Sequence, residues 1–486
     1  MDSFRRSPFD YLRLGLIGIL VGSAVCIAGY GHRHAEAAQV VAPGQTQGIA
    51  PLSADDVSLL FPAPTKTADL AKLIAVHDLT APDPQDPAKR NLVWSDSAFE
   101  SLLRIAQGQF GQVAGAPPPN QIGLPQEAQS ETNWFIAGIR VDPGAPGLSN
   151  EIRAQFGQAP QIRLIIQPVK TNADGTVHVD DLAVHLIFDF TKPPAAPAQQ
   201  GCNMMFVPDD VAFGSVVADV VALRDKLSAG QLGAKISTVG APLGVHPGLT
   251  DPTTASALRQ EIESFLAKHI AAERLDAMAI AATPAGQPAP WIFLSLVNLP
   301  AGFSPAAPNG GFVPVPGPTL DGQQFSELLM PDTVLTPRAF PQPTTNNLNA
   351  TTCKSAAARG GNVPAAQRSG VSTASLLVTP APSAAQVAPV LDVIADPSKS
   401  HFFNTDCVSC HTETRLSMHL LQTKSFPGID PAVLPPGDWD IRNFGWAPAA
   451  RGVAHAMVTR RTATETEAVL TFINSQELPK QGALKR

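Results

Sequence analysis

The chain has 486 residues, a formal charge of −7 at pH 7, 44% hydrophobic residues and only 15% charged ones. That length predicts two or three domains with a sizeable apolar core, and the mildly acidic balance excludes nucleic acid as a partner. With 47 prolines and 37 glycines, the composition predicts a turn-rich body rather than long helical bundles.

Residues 1–38 read as an export signal. Arg5, Arg6 and Arg13 form a charged start, Leu14–Gly29 an apolar run, and Ala35–Ala38 a small-residue cleavage site. The alternative is a retained anchor, since the run is nearly long enough to span a bilayer; membrane association is expected only through this segment. Both tyrosines, Tyr11 and Tyr30, lie inside it, so a cleaved chain has no tyrosyl chemistry. The expected location is the periplasm or cell envelope. That oxidising compartment permits a disulfide between Cys202 and Cys353, the other reading being two buried thiols.

After a Pro/Gly-bearing linker at 39–52, residues 53–353 read as an α+β body of unassigned role. Apolar spacing predicts a short helix over Thr67–Asp78 and a clearer one over Ser95–Gln109, with Phe99, Leu102, Leu103 and Ala106 on one face. Alternation predicts strands over Asn133–Pro143, Gln161–Val169 and Leu182–Phe190. Asp174-Gly175 is a hairpin signal between the last two, so the sheet is expected to be antiparallel. Helices follow over Val207–Ala229, opened by Asp209 or Asp210, and Thr250–Ile270. Two apolar strands then lie between Arg274 and Pro300. Helix-then-hairpin thus occurs twice, with too little identity to make a repeat.

His178 and His185, with Asp180 and Asp181, are the body's one grouping of ligand-type residues. A turn between the histidines leaves their convergence open, and satisfied strand histidines are the reading adopted. The body carries no nucleophile elbow, phosphate loop or dinucleotide fingerprint.

Residues 354–385 shift to Ala, Ser, Pro and Gly and read as a linker. Residues 386–486 remain, the size of one small all-α domain. They hold Cys407-Val408-Ser409-Cys410-His411. Two thiols one helical turn apart, followed by an imidazole, match what covalent haem attachment needs: each thiol adds across a vinyl group, and the histidine ligates iron. A structural zinc site wants a second Cys/His pair, and no cysteine follows Cys410. A redox dithiol wants a βαβ setting that is missing here.

This segment resembles a monohaem c-type cytochrome domain over about the last fifth of the chain. Phe402 and Phe403 sit in its lead-in, and Arg461–Glu477 reads as its closing helix, with Thr464 and Glu467 offering a capping box. The resemblance implies one covalent haem c on Cys407 and Cys410, with His411 as the proximal iron ligand. It implies a distal ligand on a later loop, where Met457 stands, with His455 as the alternative. The Pro-x-Met pattern common at that ligand is replaced by His455-Ala456-Met457. Trp439, Arg442 and Trp446 are candidate donors to the haem propionates, their plainer role being to fill the small core. Arg460 and Arg461 form either a docking patch or a solvated pair.

As a whole the chain looks like exported bacterial envelope proteins that end in one cytochrome c module. The expected function is one-electron transfer to a redox partner protein, with the body docking that partner or positioning the haem. A redox enzyme with its substrate site in the body, and a haem-based sensor with an open sixth position, are the alternatives.

Overall fold

The computed structural model describes residues 49–83, 85–86, 88–107, 124–145, 148, 153, 157–192, 207–282, 291–299, 301, 309–314, 327–329, 384–399, 407–435, 442–448 and 454–480. The signal segment, Cys202, Cys353, Trp439 and most of the 354–385 linker lie outside them.

Within these residues the strand-forming runs assemble edge to edge in chain order. Strands β1 (Ser58–Leu60), β2 (Trp134–Ala145), β3 (Ala159–Thr171), β4 (Ala183–Asp189), β5 (Leu275–Ala282), β6 (Trp291–Leu299) and β7 (Gly311–Pro314) form one antiparallel sheet. Val177–Val179 and Glu327–Leu329 pair on its margins. The antiparallel sheet and the α+β class are as expected from sequence. So is the hairpin at Asp174-Gly175, where the Gly175 N–H donates to the Asn172 carbonyl at 3.0 Å.

Strand side chains alternate, and residues paired across an antiparallel ladder share a face. One face is apolar: Ile139, Leu164, Leu186 and Met278 stand in register, each at most 1% exposed. They share a core with Phe213, Val216 and Val220 of α2 (Asp210–Ala229) and with Leu258, Ile262 and Leu266 of α3 (Ala255–His269). Helix α1 (Asp96–Gln107) adds Phe99, Leu102 and Ala106 to the same core. Asp209 caps α2 by accepting from Ala212 N–H, and Ser95 accepts from Ala98 N–H at the start of α1. The helix expected over Thr67–Asp78 is broken instead into one turn at Thr67–Leu70 and a 3-10 turn at Val76–Asp78. Asp69 gathers Thr65 and Lys66 N–H into a cap, and no regular ladder continues past it.

The opposite face of the sheet is polar, carrying Ser58, Arg140 and Arg163 in one row and Gly138, Ile165 and His185 in the next. The described residues among the last hundred meet this face through a hairpin and a final helix, on which two further helices pack. They comprise α4 (Ala384–Ala395), α5 (Cys407–Leu420), the hairpin strands β8 (Phe444–Ala447) and β9 (His455–Val458), and α6 (Arg460–Phe472). They are therefore neither all-α nor a separate body. Phe444, Trp446, Val458 and Val469 join the same hydrophobic core as the sheet, and everything from Ile49 onward forms one compact unit. A hundred residues with a polar sheet face at hand bury more surface by packing on it than by folding alone. A small satellite cluster, Leu391, Ile394 and Leu416, holds α4 to α5.

Candidate functional site

The Cys407–His411 motif opens α5, so the two cysteines stand one turn apart and His411 follows directly in the ladder. Cys410 and His411 are both partly accessible, whereas the next six residues, Thr412–Ser417, are buried. Six consecutive buried residues take in every face of the helix, so its middle is enclosed while Cys410 and His411 stay partly accessible.

Two consecutive arginines tie α4, α5 and α6 together. Arg460 pairs with Glu413 at 2.6 Å and with Asp392 of α4 at 2.9 Å, and its backbone N–H donates to Thr414 at 2.7 Å. Arg461 donates to the Ile394 carbonyl at 2.8 Å and to Glu465 at 2.6 Å. Both are thus internal ties rather than a docking patch or a solvated pair. Helix α6 begins four residues before the expected capping box, because Thr459 is its cap, accepting from Thr462 N–H. A partly buried Glu465 carboxylate then meets Arg140 of the sheet at 2.7 Å. Burial alone would raise its pKa, but Arg461, Arg140 and Arg163 hold it at about 2.

Hairpin β8–β9 docks on the polar face through main-chain contacts. Gln167 of β3 donates to the Trp446 carbonyl at 2.8 Å and accepts the Trp446 N–H at 2.6 Å. Gly445 must be glycine: its φ is +135°, and a Cβ there would lie 2.6 Å from the Gln167 oxygen and 3.3 Å from Ile165. The Trp446 indole is fully buried, and its N–H donates to the Phe61 carbonyl at 3.0 Å. That donor is committed to the fold, so Trp446 fills the interface rather than reaching for a propionate. Arg442, 2% exposed, pairs with Asp181 of the body at 3.0 Å.

Met457 is fully buried on β9, directly opposite Gly445. His455 is half-buried on the same strand and shares a hydrogen bond with the Leu434 carbonyl at 3.2 Å. The body histidines do not converge on each other: His178 is exposed and pairs with Asp180 at 3.5 Å, while His185 lies on the central strand β4. Among the described residues no three His, Cys, Asp or Glu side chains come together as a metal-ligand set.

His185 is where the body meets the motif. Burial pushes its pKa well below the ordinary value, and charge on Arg163, His411, Arg442 and Arg140 pushes it further the same way, so it is neutral at physiological pH. His411 of α5 is thus among the charges that act on a sheet residue 226 positions earlier. His185, Ile187 and Arg163 keep some accessible surface, whereas their neighbours on the apolar face have almost none. Arg163, one row along the same face, has a buried guanidinium Nε with no partner among the described residues, and its Nη2 donates, at 3.3 Å, to the neutral amide of Gln161. Sequence reasoning missed this link because nothing in the local pattern pairs position 185 with 411.

No protein-family model, curated protein or solved structure matches this chain.

Proposed function

We propose that the protein is an exported c-type cytochrome in which one haem, covalently held by Cys407 and Cys410 and ligated by His411, is walled in by the body's polar sheet face. The observation that carries this is the motif itself, which opens α5 with the two cysteines one turn apart and with Cys410 and His411 partly accessible. The residues fit the group. The two thiols have the one-turn spacing that thioether attachment requires, each adding across a C=C bond so that carbon takes the hydrogen and no oxidant is consumed.

A bound haem supplies a one-electron Fe(III)/Fe(II) couple. The chain's own residues fix its surroundings. Arg460 locks the helix that bears the cysteines, and Gln167 clamps the hairpin at Trp446. The body's role on this reading is to build half of the pocket, which gives about 300 residues a reason to precede a five-residue motif. The proposed location is the periplasm or envelope, and the proposed partner is a redox protein. Expression with cytochrome c maturation machinery should give a haem stain that survives SDS. Covalent staining in a Cys407→Ala/Cys410→Ala variant would refute the assignment.

A further inference from the structure

We propose that Arg140 and Arg163, side by side on the polar face of the sheet, form a binding site for a small, doubly charged oxyanion of the phosphate class. The site draws on β2, β3 and α6 alone, so it stands or falls independently of the haem reading.

Sheet register puts the two arginines together. Arg140 of β2 and Arg163 of β3 are direct cross-strand partners, and such partners share a face with Cα atoms only about 5 Å apart. Like charges placed directly opposite destabilise a ladder, so this pair calls for counter-charge. The contacts supply one carboxylate for three cations. One oxygen of Glu465 meets Arg140 Nη1 at 2.7 Å, and its other oxygen is held by Arg461 Nε and Nη2, at 2.8 and 2.6 Å. Arg163 is left with a single hydrogen bond, a long one of 3.3 Å from Nη2 to the neutral amide oxygen of Gln161. Asp142, one row along, accepts from the Gly144 N–H at 2.9 Å and pairs with neither arginine among the described residues. The Nε atoms of Arg140 and Arg163 are both buried without an acceptor. Three guanidiniums against one carboxylate in contact leave an excess of two positive charges. Burial first, and Arg140 second, push the Arg163 pKa below its ordinary value, a penalty that a bound anion relieves.

The same row shows where an anion arrives. It runs Ser58, Arg140, Arg163, Ile187 across β1 to β4. Helix α6 covers its start, with Thr466 sharing a 2.9 Å hydrogen bond with Ser58 and Glu465 pairing with Arg140. Ser58 is 0% exposed and Arg140 5%, whereas Arg163 and Ile187 keep accessible surface. Cover therefore ends between β2 and β3, with Arg163 at its margin. An oxyanion reaching that margin displaces only the weak bond to Gln161 and gains charge-assisted donors, with Arg140 directly behind. An excess of two charges favours a dianion over a monoanion.

The test titrates the full chain with sodium phosphate slightly above neutral pH, against acetate and chloride at matched ionic strength. Calorimetric heat and the unfolding midpoint are followed together. Phosphate should bind saturably at one site per chain and raise the midpoint, with acetate weaker and chloride without effect. Arg163→Gln should weaken phosphate binding by roughly tenfold or more. Glu465→Gln removes the competing carboxylate and should tighten it. Opposite signs from these two variants are not expected if the arginines serve the fold alone. Phosphate that stabilises no more than chloride or acetate at equal ionic strength would overturn the proposal. That outcome needs only wild type, so it is readable even if neither variant folds. Phosphate affinity unchanged in Arg163→Gln would overturn it too.

Discussion

Gln167 grips the backbone of Trp446, 279 positions away, with both ends of its amide: Nε2 donates to the carbonyl and Oε1 accepts the N–H. The side chain thereby does what an adjacent strand would do, satisfying two main-chain groups that the C-terminal hairpin buries. This clasp is what joins the motif-bearing segment to the sheet.

Replacing Gln167 with Leu keeps the volume and strips both partners from Trp446. Two buried main-chain groups left unsatisfied should cost about 2–4 kcal/mol. We expect a lower unfolding midpoint in urea and preferential proteolysis near residues 444–458. An unchanged midpoint would mean that the clasp contributes nothing.

Gly138 and Phe444 make a second contact in the same interface. A Cβ at 138 would lie 2.5 Å from the Phe444 ring, so Gly138→Val should lower stability by about 2 kcal/mol through overpacking. In a Phe444→Ala background that penalty should shrink, giving a coupling of roughly 1 kcal/mol in a double-mutant cycle. Additive effects would place the ring elsewhere.

The partly buried Glu465 carboxylate, held at about 2 between Arg461 and Arg140, links stability to acid. Its folded pKa lies below the ordinary 4.5, so the contribution is present above that pH and is lost as pH falls towards 2. Glu465→Gln should cost about 3 kcal/mol at pH 7, by leaving two buried guanidiniums without their carboxylate. It should also flatten that limb of the stability–pH curve. Denaturant midpoints from pH 3 to pH 7 check both.

Asp55 has the opposite sign. It is 2% exposed, and burial lifts its pKa to about 7, Asp56 and Asp430 adding to the rise while the Gly244 N–H opposes it. The folded state therefore keeps a proton that the unfolded chain releases near 3.8, and this contribution falls as pH rises from about 4 through about 7. Asp55→Asn should remove that loss, improving stability at pH 8 relative to pH 5 by up to roughly 3 kcal/mol. A pH dependence identical to wild type would refute it.

The legible part of this fold is the part with local period. Strands β2 to β6 and helices α1, α2 and α3 follow from alternation, apolar spacing and capping residues such as Ser95 and Asp209. Strand β1 has three residues and hairpin β8–β9 four on each side. Such elements are too short for a period to show, and they exist because the polar sheet face receives them. The motif at Cys407–His411 is legible because its chemistry fixes its spacing. The docking of the C-terminal hairpin is not, since Gln167 reads locally as one more strand residue between Ile166 and Pro168, and its partner lies 279 positions later.

Whether Cys407–His411 is a loaded haem site or a bare dithiol is decided most directly by the intact mass and pyridine haemochrome spectrum of the full chain, purified from cells with the maturation machinery. We predict one haem per chain, retained after denaturation, with the spectrum of two thioether links. An unmodified mass, with two titratable thiols at Cys407 and Cys410, would contradict it.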